Sequence, residues 1–285
     1  MAKQLLGKEV TASMNEKIKA NVAMLNERGI TPTLGIIRVG EREDDISYER
    51  GAVKRCETLN VAYQKFLLPA DVSEEELLSV IRQVNEDDSI HGVLLFRPLP
   101  KHLNEEKIIN ALDFTKDVDG ITDGSMAGVF AGKAQGFPPC TPQGCMEILD
   151  HYGIDCSGKK AVVVGRSLVV GKPAAMMLLK KNATVTICHT RTKDMPSVVR
   201  EADIVIVAAG RAGVIDASYL REGQIVIDVG INMNEEGKLC GDVKYDEAAQ
   251  IVEAITPVPG GAGSVTTSVL VSHVVEAAMR KAALL

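Results

Sequence analysis

A tyrosine and a lysine stand close together in the stretch DDISYERGAVKRC, residues 44–56, where they could form a proton-transfer pair. A phenol and an amine held side by side can manage protons for a reacting group. The stretch is predicted to be helical, and side chains four residues apart share a helix face. Lys54 follows Tyr48 by six residues, which at about 100° per residue is roughly 240° around the helix. The spacing therefore indicates that Lys54 points away from Tyr48, and Ala52 occupies the partner position.

The second candidate site is a glycine turn in VVVGRSLVVGKP, residues 162–173. Gly165 and Gly171 flank the turn, and Ser167 stands where the usual dinucleotide fingerprint has glycine. The helix that follows offers unpaired N–H groups and the positive end of its dipole to a pyrophosphate. A glycine turn before a helix can be a matter of geometry alone. Its place in a strand–helix–strand unit is what favours a dinucleotide site.

The end of the next strand, CHTRTK, favours NADP over NAD. NAD sites commonly carry Asp or Glu there, about 20 residues after the glycines, to bind the ribose 2′-hydroxyl. This strand end has no acid. Thr190 and Arg191, together with Arg166, could instead hold a 2′-phosphate through charge-assisted hydrogen bonds. The alternative is that these three side chains are solvated surface groups.

The elements that must position these residues form two α/β halves. Apolar strands and helical patterns alternate in the first half, where Ser73 and Glu76 make a capping box before the helix EEELLSVIRQVNE. The second half repeats the alternation with KKAVVVG, ATVTICH, ADIVIVAAG and QIVIDVG, which predicts a Rossmann-like doubly wound parallel sheet. A loop rich in Gly and Pro, residues 120–142, separates the halves. The predicted domains are residues 1–140 with the C-terminal helix 266–285, and residues 141–265.

Composition narrows the class of protein. The 285 residues are 46% hydrophobic and 25% charged, with a net charge of −6 and interleaved signs. No basic face for nucleic acid is visible, no apolar run approaches the roughly 20 residues of a membrane span, and MAKQLLGKEV is not a signal peptide. The six cysteines form no CxxC pair, and the five histidines show no metal-ligand spacing. We expect a cytoplasmic protein with reduced thiols, no bound metal and no membrane or nucleic-acid partner.

Five motifs together resemble the methylenetetrahydrofolate dehydrogenase/cyclohydrolase family: PPCTPQG, GRSLVVGKP, ATVTICHTRT, KDVDG and TPVPGGAGSVT. The resemblance covers essentially the whole chain. It implies a homodimer whose subunits have two domains and bind a tetrahydrofolate derivative in the cleft between them. Residues 1–140 with 266–285 would be the folate-binding catalytic domain, and residues 141–265 the NADP-binding domain.

The resemblance also implies roles for individual residues. Asp119, from the DVDG motif, would bind the pterin, although an Asp before Gly is also a common turn cap. Tyr48 would stack on the aminobenzoyl ring of folate, or else pack on the sheet as an ordinary helix tyrosine. The PGG turn, Pro259, Gly260 and Gly261, would close over the folate. The implied NADP contacts are Gly165, Arg166, Ser167, Thr190 and Ile231.

The implied reaction is an oxidation in one-carbon metabolism. A hydride passes from the methylene carbon of 5,10-methylenetetrahydrofolate to the nicotinamide, giving 5,10-methenyltetrahydrofolate. Lone pairs on the flanking nitrogens stabilise the developing cation, so that no strong protein base is required and positioning does most of the work. Tyr48 and Asp119 are the predicted catalytic residues.

Two departures from the family pattern predict that the cyclohydrolase activity of the family is weak or absent in this protein. Members that also hydrolyse the methenyl product normally carry Tyr-x-x-x-Lys on the first-half helix, and this chain has Ala52 at the lysine position. The family usually has VQLPLP after the third strand, and this chain has LFRPLP, with Phe96 in place of the glutamine. Ala52 and Phe96 would then line the folate site without performing hydrolysis.

The sequence leaves three alternative functions open. The first is the usual bifunctional dehydrogenase/cyclohydrolase, with Lys54 or another group compensating. The second is an amino-acid or shikimate-type dehydrogenase, which would share the cofactor half but would not explain DVDG and PVPGG together. The third is a nucleotide-binding module without catalytic activity.

Overall fold

The computed structural model describes residues 1–285 and contains eleven strands and ten α-helices. The strands are β1 (Lys3–Gln4), β2 (Thr33–Val39), β3 (Ala62–Leu68), β4 (Gly92–Leu95), β5 (Lys160–Val164), β6 (Thr184–Cys188), β7 (Ile204–Val207), β8 (Ile225–Asp228), β9 (Asn232–Met233), β10 (Leu239–Cys240) and β11 (Ala254–Ile255). The helices are α1 (Gly7–Glu27), α2 (Glu43–Leu59), α3 (Glu74–Glu86), α4 (Glu105–Ala111), α5 (Asp123–Ala131), α6 (Cys140–His151), α7 (Gly171–Lys180), α8 (Met195–Arg200), α9 (Tyr245–Ala248) and α10 (Thr266–Lys281).

The chain divides into two units. The first unit comprises Ser13–Cys140 and Thr267–Leu285, and the second comprises Met1–Ala12 and Thr141–Thr266. This division differs from the predicted boundaries at the N-terminus, because the first twelve residues group with the second unit. The physical reason is that β1 pairs in parallel with β11, which extends the sheet of the second unit by one strand.

The sheet of the first unit has the order β3-β2-β4, with both pairings parallel. All four residues of β4 are buried, as are six of the seven residues of β2. A strand buried on both faces must be covered by helices on both sides, which explains the wholly apolar sequence of β4, GVLL. The predicted capping box is present at the start of α3, where Ser73 accepts from the Glu76 backbone and Glu76 accepts from the Ser73 backbone.

The sheet of the second unit has six parallel strands in the order β1-β11-β8-β7-β5-β6. The chain moves from β5 to β6 on one side and then crosses to β7 on the other. The strand order therefore reverses between β5 and β7. In open α/β sheets, ligands bind outside the carboxyl ends of the strands at such a switch point. No helix in the structure is both long enough and apolar enough to cross a bilayer.

Candidate functional site

Tyr48 lies on α2 with its ring against Phe96, the residue that follows β4. The two rings meet edge to face, with centroids 5.9 Å apart and an interplanar angle of 81°. Ala52, one helical turn after Tyr48, is fully buried. Lys54 is exposed to solvent. The methyl group of Ala52 therefore occupies the position one turn after Tyr48 on α2, and Phe96 packs against the Tyr48 ring from outside the helix. The exposure of Lys54 agrees with its predicted direction, away from Tyr48.

Asp119 is carried by a tightly held loop beside β4. The Val93 N–H donates to the Lys116 carbonyl over 2.7 Å, which pins the start of the loop to the sheet. Asp117 is fully buried, and its carboxylate accepts from the N–H groups of Ile121 at 3.0 Å and Thr122 at 2.8 Å. Asp117 therefore holds the loop together, whereas the side chain of Asp119 is only half-buried.

The electrostatics around Asp119 suit a hydrogen-bond acceptor. Burial raises the pKa of Asp119 to about 6, a hydrogen bond from Cys140 lowers it, the Asp117 charge raises it, and Arg97 lowers it. Burial also raises the pKa of Tyr48 well above its usual value, and the Asp119 charge adds to the effect. At neutral pH the site therefore presents an ionised carboxylate beside a neutral phenol. Such a carboxylate can accept hydrogen bonds from the N–H groups of a bound heterocycle.

The sequence reasoning missed Cys140, which it treated only as one of six reduced thiols. Cys140 is buried at the start of α6, and its Sγ lies 3.3 Å from the Val118 carbonyl oxygen. Burial and the charge of Asp119 both raise the pKa of Cys140, so it stays a thiol. Its place within PPCTPQG, a motif that carried the family resemblance, was the available signal. Arg97 is half-buried, with its Nη1 3.9 Å from Oε1 of Glu105.

The glycine turn after β5 has the close approach that its sequence predicts. Gly165 has φ +129°, and a Cβ there would lie 2.2 Å from the Ala208 carbonyl oxygen at the end of β7. A Cβ on Gly171 would lie 2.2 Å from the Gly165 oxygen. Ser167, at the position of the usual middle glycine, accepts from the Val170 N–H at 3.1 Å. The turn lies at the switch point of the sheet, and the Ser167 hydroxyl holds the backbone of the segment that leads into α7.

Arg166, Thr190 and Arg191 follow the carboxyl ends of two adjacent strands. Val164 at the end of β5 pairs with Cys188 at the end of β6, and this register places the two following turns side by side. The side chains of Arg166, Thr190 and Arg191 are exposed, and neither arginine takes part in an ion pair. Two guanidinium groups without ion-pair partners and a hydroxyl are therefore exposed at this edge of the sheet.

Ile231 and the PGG turn are the remaining predicted residues of the second unit. Ile231 is 66% exposed. The Val258–Pro259 peptide is cis, and Gly260 has φ +101°. A Cβ on the buried Gly261 would lie 2.4 Å from the Pro257 oxygen, so the turn needs glycine there. Pro259 and Gly260 are exposed and form the accessible part of the turn.

Two buried carboxylates that sequence reasoning did not single out hold the loops near Ile231. Asp228, at the end of β8, accepts from the N–H groups of Gly230 at 2.9 Å and Val243 at 2.9 Å. Asp242 accepts from the Ala209 N–H at 2.6 Å, just after β7. Burial raises the pKa of Asp228 to about 6, while these backbone bonds lower it. Both carboxylates accept hydrogen bonds from several backbone N–H groups, and Asp242 also accepts from the side-chain amide of Asn232 at 2.9 Å. Their role is therefore to hold the loops at this edge of the sheet.

Models of known families match both parts of the chain. Residues 5–119 match the catalytic domain of tetrahydrofolate dehydrogenase/cyclohydrolase, and residues 139–282 match its NAD(P)-binding domain. The chain belongs to the tetrahydrofolate dehydrogenase/cyclohydrolase family. Tyr48, Ala52, Phe96 and Asp119 fall in the part matched to the catalytic domain.

Individual family members are similar over almost the full chain. The bifunctional protein FolD of Carboxydothermus hydrogenoformans is 53% identical over 279 residues, which cover 97% of each chain. The crystal structure of the bifunctional enzyme FolD of Campylobacter jejuni has a TM-score of 0.96 at 39% identity, covering 99% of this chain and 100% of that one. The Trypanosoma brucei FolD, solved with NADP and an inhibitor, has a TM-score of 0.92 at 32% identity and covers 99% and 98%.

Family membership confirms two of the sequence predictions. The recognised family is correct, and so is the fold class of two α/β domains with a Rossmann-like second sheet. The chain is accordingly an enzyme of the tetrahydrofolate dehydrogenase/cyclohydrolase type. The amino-acid or shikimate-type dehydrogenase and the non-catalytic binding module are set aside.

Proposed function

We propose that this protein is an NADP-dependent 5,10-methylenetetrahydrofolate dehydrogenase with little or no cyclohydrolase activity. The observation that carries the proposal is the composition of the cluster around Tyr48. The cluster keeps the carboxylate of Asp119, but Ala52 and Phe96 stand at the positions of the family's hydrolytic lysine and glutamine. The dehydrogenase step needs the carboxylate of Asp119, but it needs neither the lysine nor the glutamine.

Asp119 binds the pterin in this proposal. Its carboxylate accepts hydrogen bonds from the pterin amino group and ring N–H, a pairing that charge makes stronger than a neutral hydrogen bond. Tyr48 and Phe96 supply apolar surface beside it, since their rings already pack at 5.9 Å. Tyr48 remains a neutral phenol, because burial and the charge of Asp119 raise its pKa. These residues orient the folate and keep water from the reacting carbon.

The residues of the second unit are suited to bind NADP. The Trypanosoma brucei relative was solved with that cofactor, which supports the choice. The pyrophosphate would lie at the Gly165 turn and the start of α7, where backbone N–H groups face an anion. Arg166, Thr190 and Arg191 would hold the 2′-phosphate. When bound, NADP supplies the hydride acceptor. The protein's contribution is to position the folate. Pro259 and Gly260, in the exposed turn, are further proposed folate-binding residues.

Hydrolysis of the methenyl product would need a group that manages protons near the methenyl carbon. A positioned lysine can do this, but a buried alanine cannot, and Phe96 cannot polarise a neighbour. Lys54 is exposed. Lys65 is committed to the buried Glu49 at 2.8 Å. The product would then be released and need a separate cyclohydrolase.

The bifunctional enzyme is the second candidate, and the names of the relatives favour it. The 53% identical protein of Carboxydothermus hydrogenoformans is called bifunctional. For this chain the candidate requires Lys54 or another group to replace the missing lysine. The Lys54→Ala variant separates the two. It should leave both activities unchanged under our proposal, whereas it should abolish hydrolysis selectively if Lys54 compensates.

The remaining features of the proposal rest on the family pattern and on cysteine chemistry. We propose a homodimer in which residues 13–140 with 267–285 bind folate and residues 1–12 with 141–266 bind NADP. Compared with the predicted domains, residues 1–140 with 266–285 and residues 141–265, this moves the first twelve residues to the NADP-binding domain, because β1 pairs in its sheet. A cytoplasmic location is supported by six cysteines that are all free and of which five are buried, the usage expected in a reducing compartment.

The experiment is an absorbance assay for methenyltetrahydrofolate formed by the purified protein from methylenetetrahydrofolate, with NADP and with NAD. We expect turnover with both the folate and the cofactor present, and a higher kcat/KM for NADP. The absence of methenyltetrahydrofolate formation would refute the dehydrogenase assignment. Equal kcat/KM for the two cofactors would refute only the NADP preference.

A further inference from the structure

Val118 lies between the two aspartates of KDVDG, and two side chains approach its carbonyl oxygen within hydrogen-bonding distance. His273 on α10 has its Nδ1 2.8 Å from this oxygen, and Cys140 has its Sγ 3.3 Å away. A carbonyl only accepts hydrogen bonds, so the histidine must carry its proton on Nδ1. His273 and Val118 are 155 positions apart in the chain. The C-terminal helix therefore reaches back to the peptide unit that carries Asp119.

His273 is held firmly in this orientation. Its ring packs on Phe137 with centroids 5.0 Å apart. Arg280 lies over the same phenyl ring, 4.4 Å from the centroid. Arg280 also donates to the Gly136 carbonyl at 2.9 Å and to Glu276 at 2.6 Å. Because each member is fixed by its neighbour, the Nδ1–H of His273 has little freedom to leave the Val118 oxygen.

The histidine is neutral in these surroundings. Burial lowers the pKa of His273, the hydrogen bond to Val118 raises it, and Glu276, Arg280 and Asp117 are the charged groups that face it. The thiol of Cys140, 3.9 Å from Nδ1, is the other titratable neighbour. A neutral imidazole can donate from one nitrogen only, and here that nitrogen is committed to the loop.

Other hydrogen bonds hold the loop on both sides of Val118. Lys116 is tied to the backbone oxygens of Val84 and Asp87, each at 2.7 Å, and Asp117 is tied to Thr122. The peptide unit between residues 118 and 119 is bounded by these anchors on its N-terminal side. The Gly120 N–H donates to the Asp117 carbonyl at 3.3 Å on the other side. The hydrogen bond from His273 to the Val118 oxygen adds a restraint on the residue directly before Asp119, and a shift of that residue would displace the Asp119 side chain.

We infer that His273 is a positioning residue for Asp119, acting through its hydrogen bond to the Val118 carbonyl. This inference rests on the proposed function, in which Asp119 binds the pterin. His273 itself does not touch the folate. It fixes the direction in which the carboxylate presents its oxygens, and misdirected acceptors bind a rigid heterocycle poorly.

The test compares variants that keep or remove the donor. In His273→Asn the side-chain amide nitrogen falls near the position of Nδ1, whereas His273→Leu has similar bulk and no donor. For His273→Leu we expect the KM for methylenetetrahydrofolate to rise about tenfold, the typical loss for one hydrogen bond, with the KM for NADP unchanged. The acid limb of the kcat/KM profile, which reports Asp119, should also move. In His273→Asn the folate KM and the acid limb should return close to wild type.

Thermal unfolding of both variants is measured alongside, because a buried core histidine would affect stability without this pattern. Loss of stability with an unchanged folate KM and pH profile in His273→Leu would overturn the inference. So would equal kinetic damage in His273→Asn and His273→Leu. If His273→Leu does not fold, His273→Gln, which moves the donor to the Nε2 position, takes its place with the same expectations. Failure of the proposed function is distinguishable, since wild-type protein would then form no methenyltetrahydrofolate.

Discussion

The Asp119 loop and the Gly165 turn present ligand-binding groups in opposite ways. Around Asp119 the neighbours are buried or half-buried side chains, and burial raises the pKa of its carboxylate to about 6. Around Gly165 the shape comes from the backbone, since a Cβ at Gly165 would meet a carbonyl oxygen at 2.2 Å. The charged groups near that turn, Arg166 and Arg191, are exposed and unpaired.

The difference follows from what each region is proposed to bind. A pterin offers a few N–H donors in a fixed plane, so its partner has to be rigid and partly removed from water. A phosphate offers charge and several equivalent oxygens, which mobile guanidinium groups can meet from many directions. Substitutions in the Asp119 loop should therefore have large effects on one substrate. Substitutions around the Gly165 turn should have smaller effects that discriminate between cofactors.

The largest effect is expected for Asp119→Asn, which keeps the shape of the side chain and removes the charge. Two charge-assisted hydrogen bonds worth about 1.5–3 kcal/mol each are weakened or lost. The kcat/KM for methylenetetrahydrofolate should fall on the order of 10²–10³-fold, while the Kd for NADP, measured by calorimetry, stays unchanged. Asp113→Asn is the matched control, because Asp113 is an exposed carboxylate in the same segment. Loss of NADP affinity, or wild-type folate turnover, would count against the assignment of Asp119.

A smaller and more selective effect is expected for Arg166→Ala. The lost contact to the 2′-phosphate should cost about 1.5–3 kcal/mol of NADP binding, and NAD, which lacks that phosphate, should bind as before. The measurement is the KM and Kd of each cofactor. Lys159→Ala serves as the control, since it removes an exposed positive charge just before the opposite end of β5. An equal loss for NADP and NAD would show that Arg166 does not read the 2′-phosphate.

The smallest effect is on stability, and its sign is opposite to the effect on activity. Because the pKa of Asp119 is raised to about 6 in the folded protein, the folded state binds its proton more tightly than the unfolded state. The ionised group therefore reduces stability above pH 6. Asp119→Asn should raise the free energy of unfolding by at most about 3 kcal/mol at pH 8, and by less where water screens the half-buried charge. The gain should shrink as the pH falls from about 6 to about 4. Urea unfolding at several pH values measures this, and a variant less stable than wild type at pH 8 would contradict the burial argument.

The parts of the molecule that were predictable from sequence depend on local patterns. The capping box of α3 needs residues three positions apart, and the glycine turn needs a strand followed directly by a helix. The positions of Ala52 and Lys54 relative to Tyr48 follow from the helical repeat, and the structure buries Ala52 and exposes Lys54. In each case the physical cause acts within a few residues, so the sequence carries it visibly.

The parts that were not predictable depend on contacts between distant segments. β1 has two residues and no strand pattern of its own, and it exists because β11 pairs with it. Cys140 and His273 meet the same carbonyl from helices 22 and 155 positions away from Val118. A single buried Cys or His has no periodic signal, so only the folded chain reveals that both support the loop of Asp119.

The most direct test of the central claim measures both family reactions in the wild-type protein. Hydrolysis of added methenyltetrahydrofolate is followed by its absorbance, with and without protein, and compared with dehydrogenase turnover in the same buffer. General acid–base catalysis typically contributes about 10²–10⁴-fold, and the cluster of Tyr48, Ala52 and Phe96 lacks the groups that would supply it. The account predicts hydrolysis close to the protein-free rate beside ready dehydrogenase turnover. Hydrolysis at a rate comparable to dehydrogenation would contradict it.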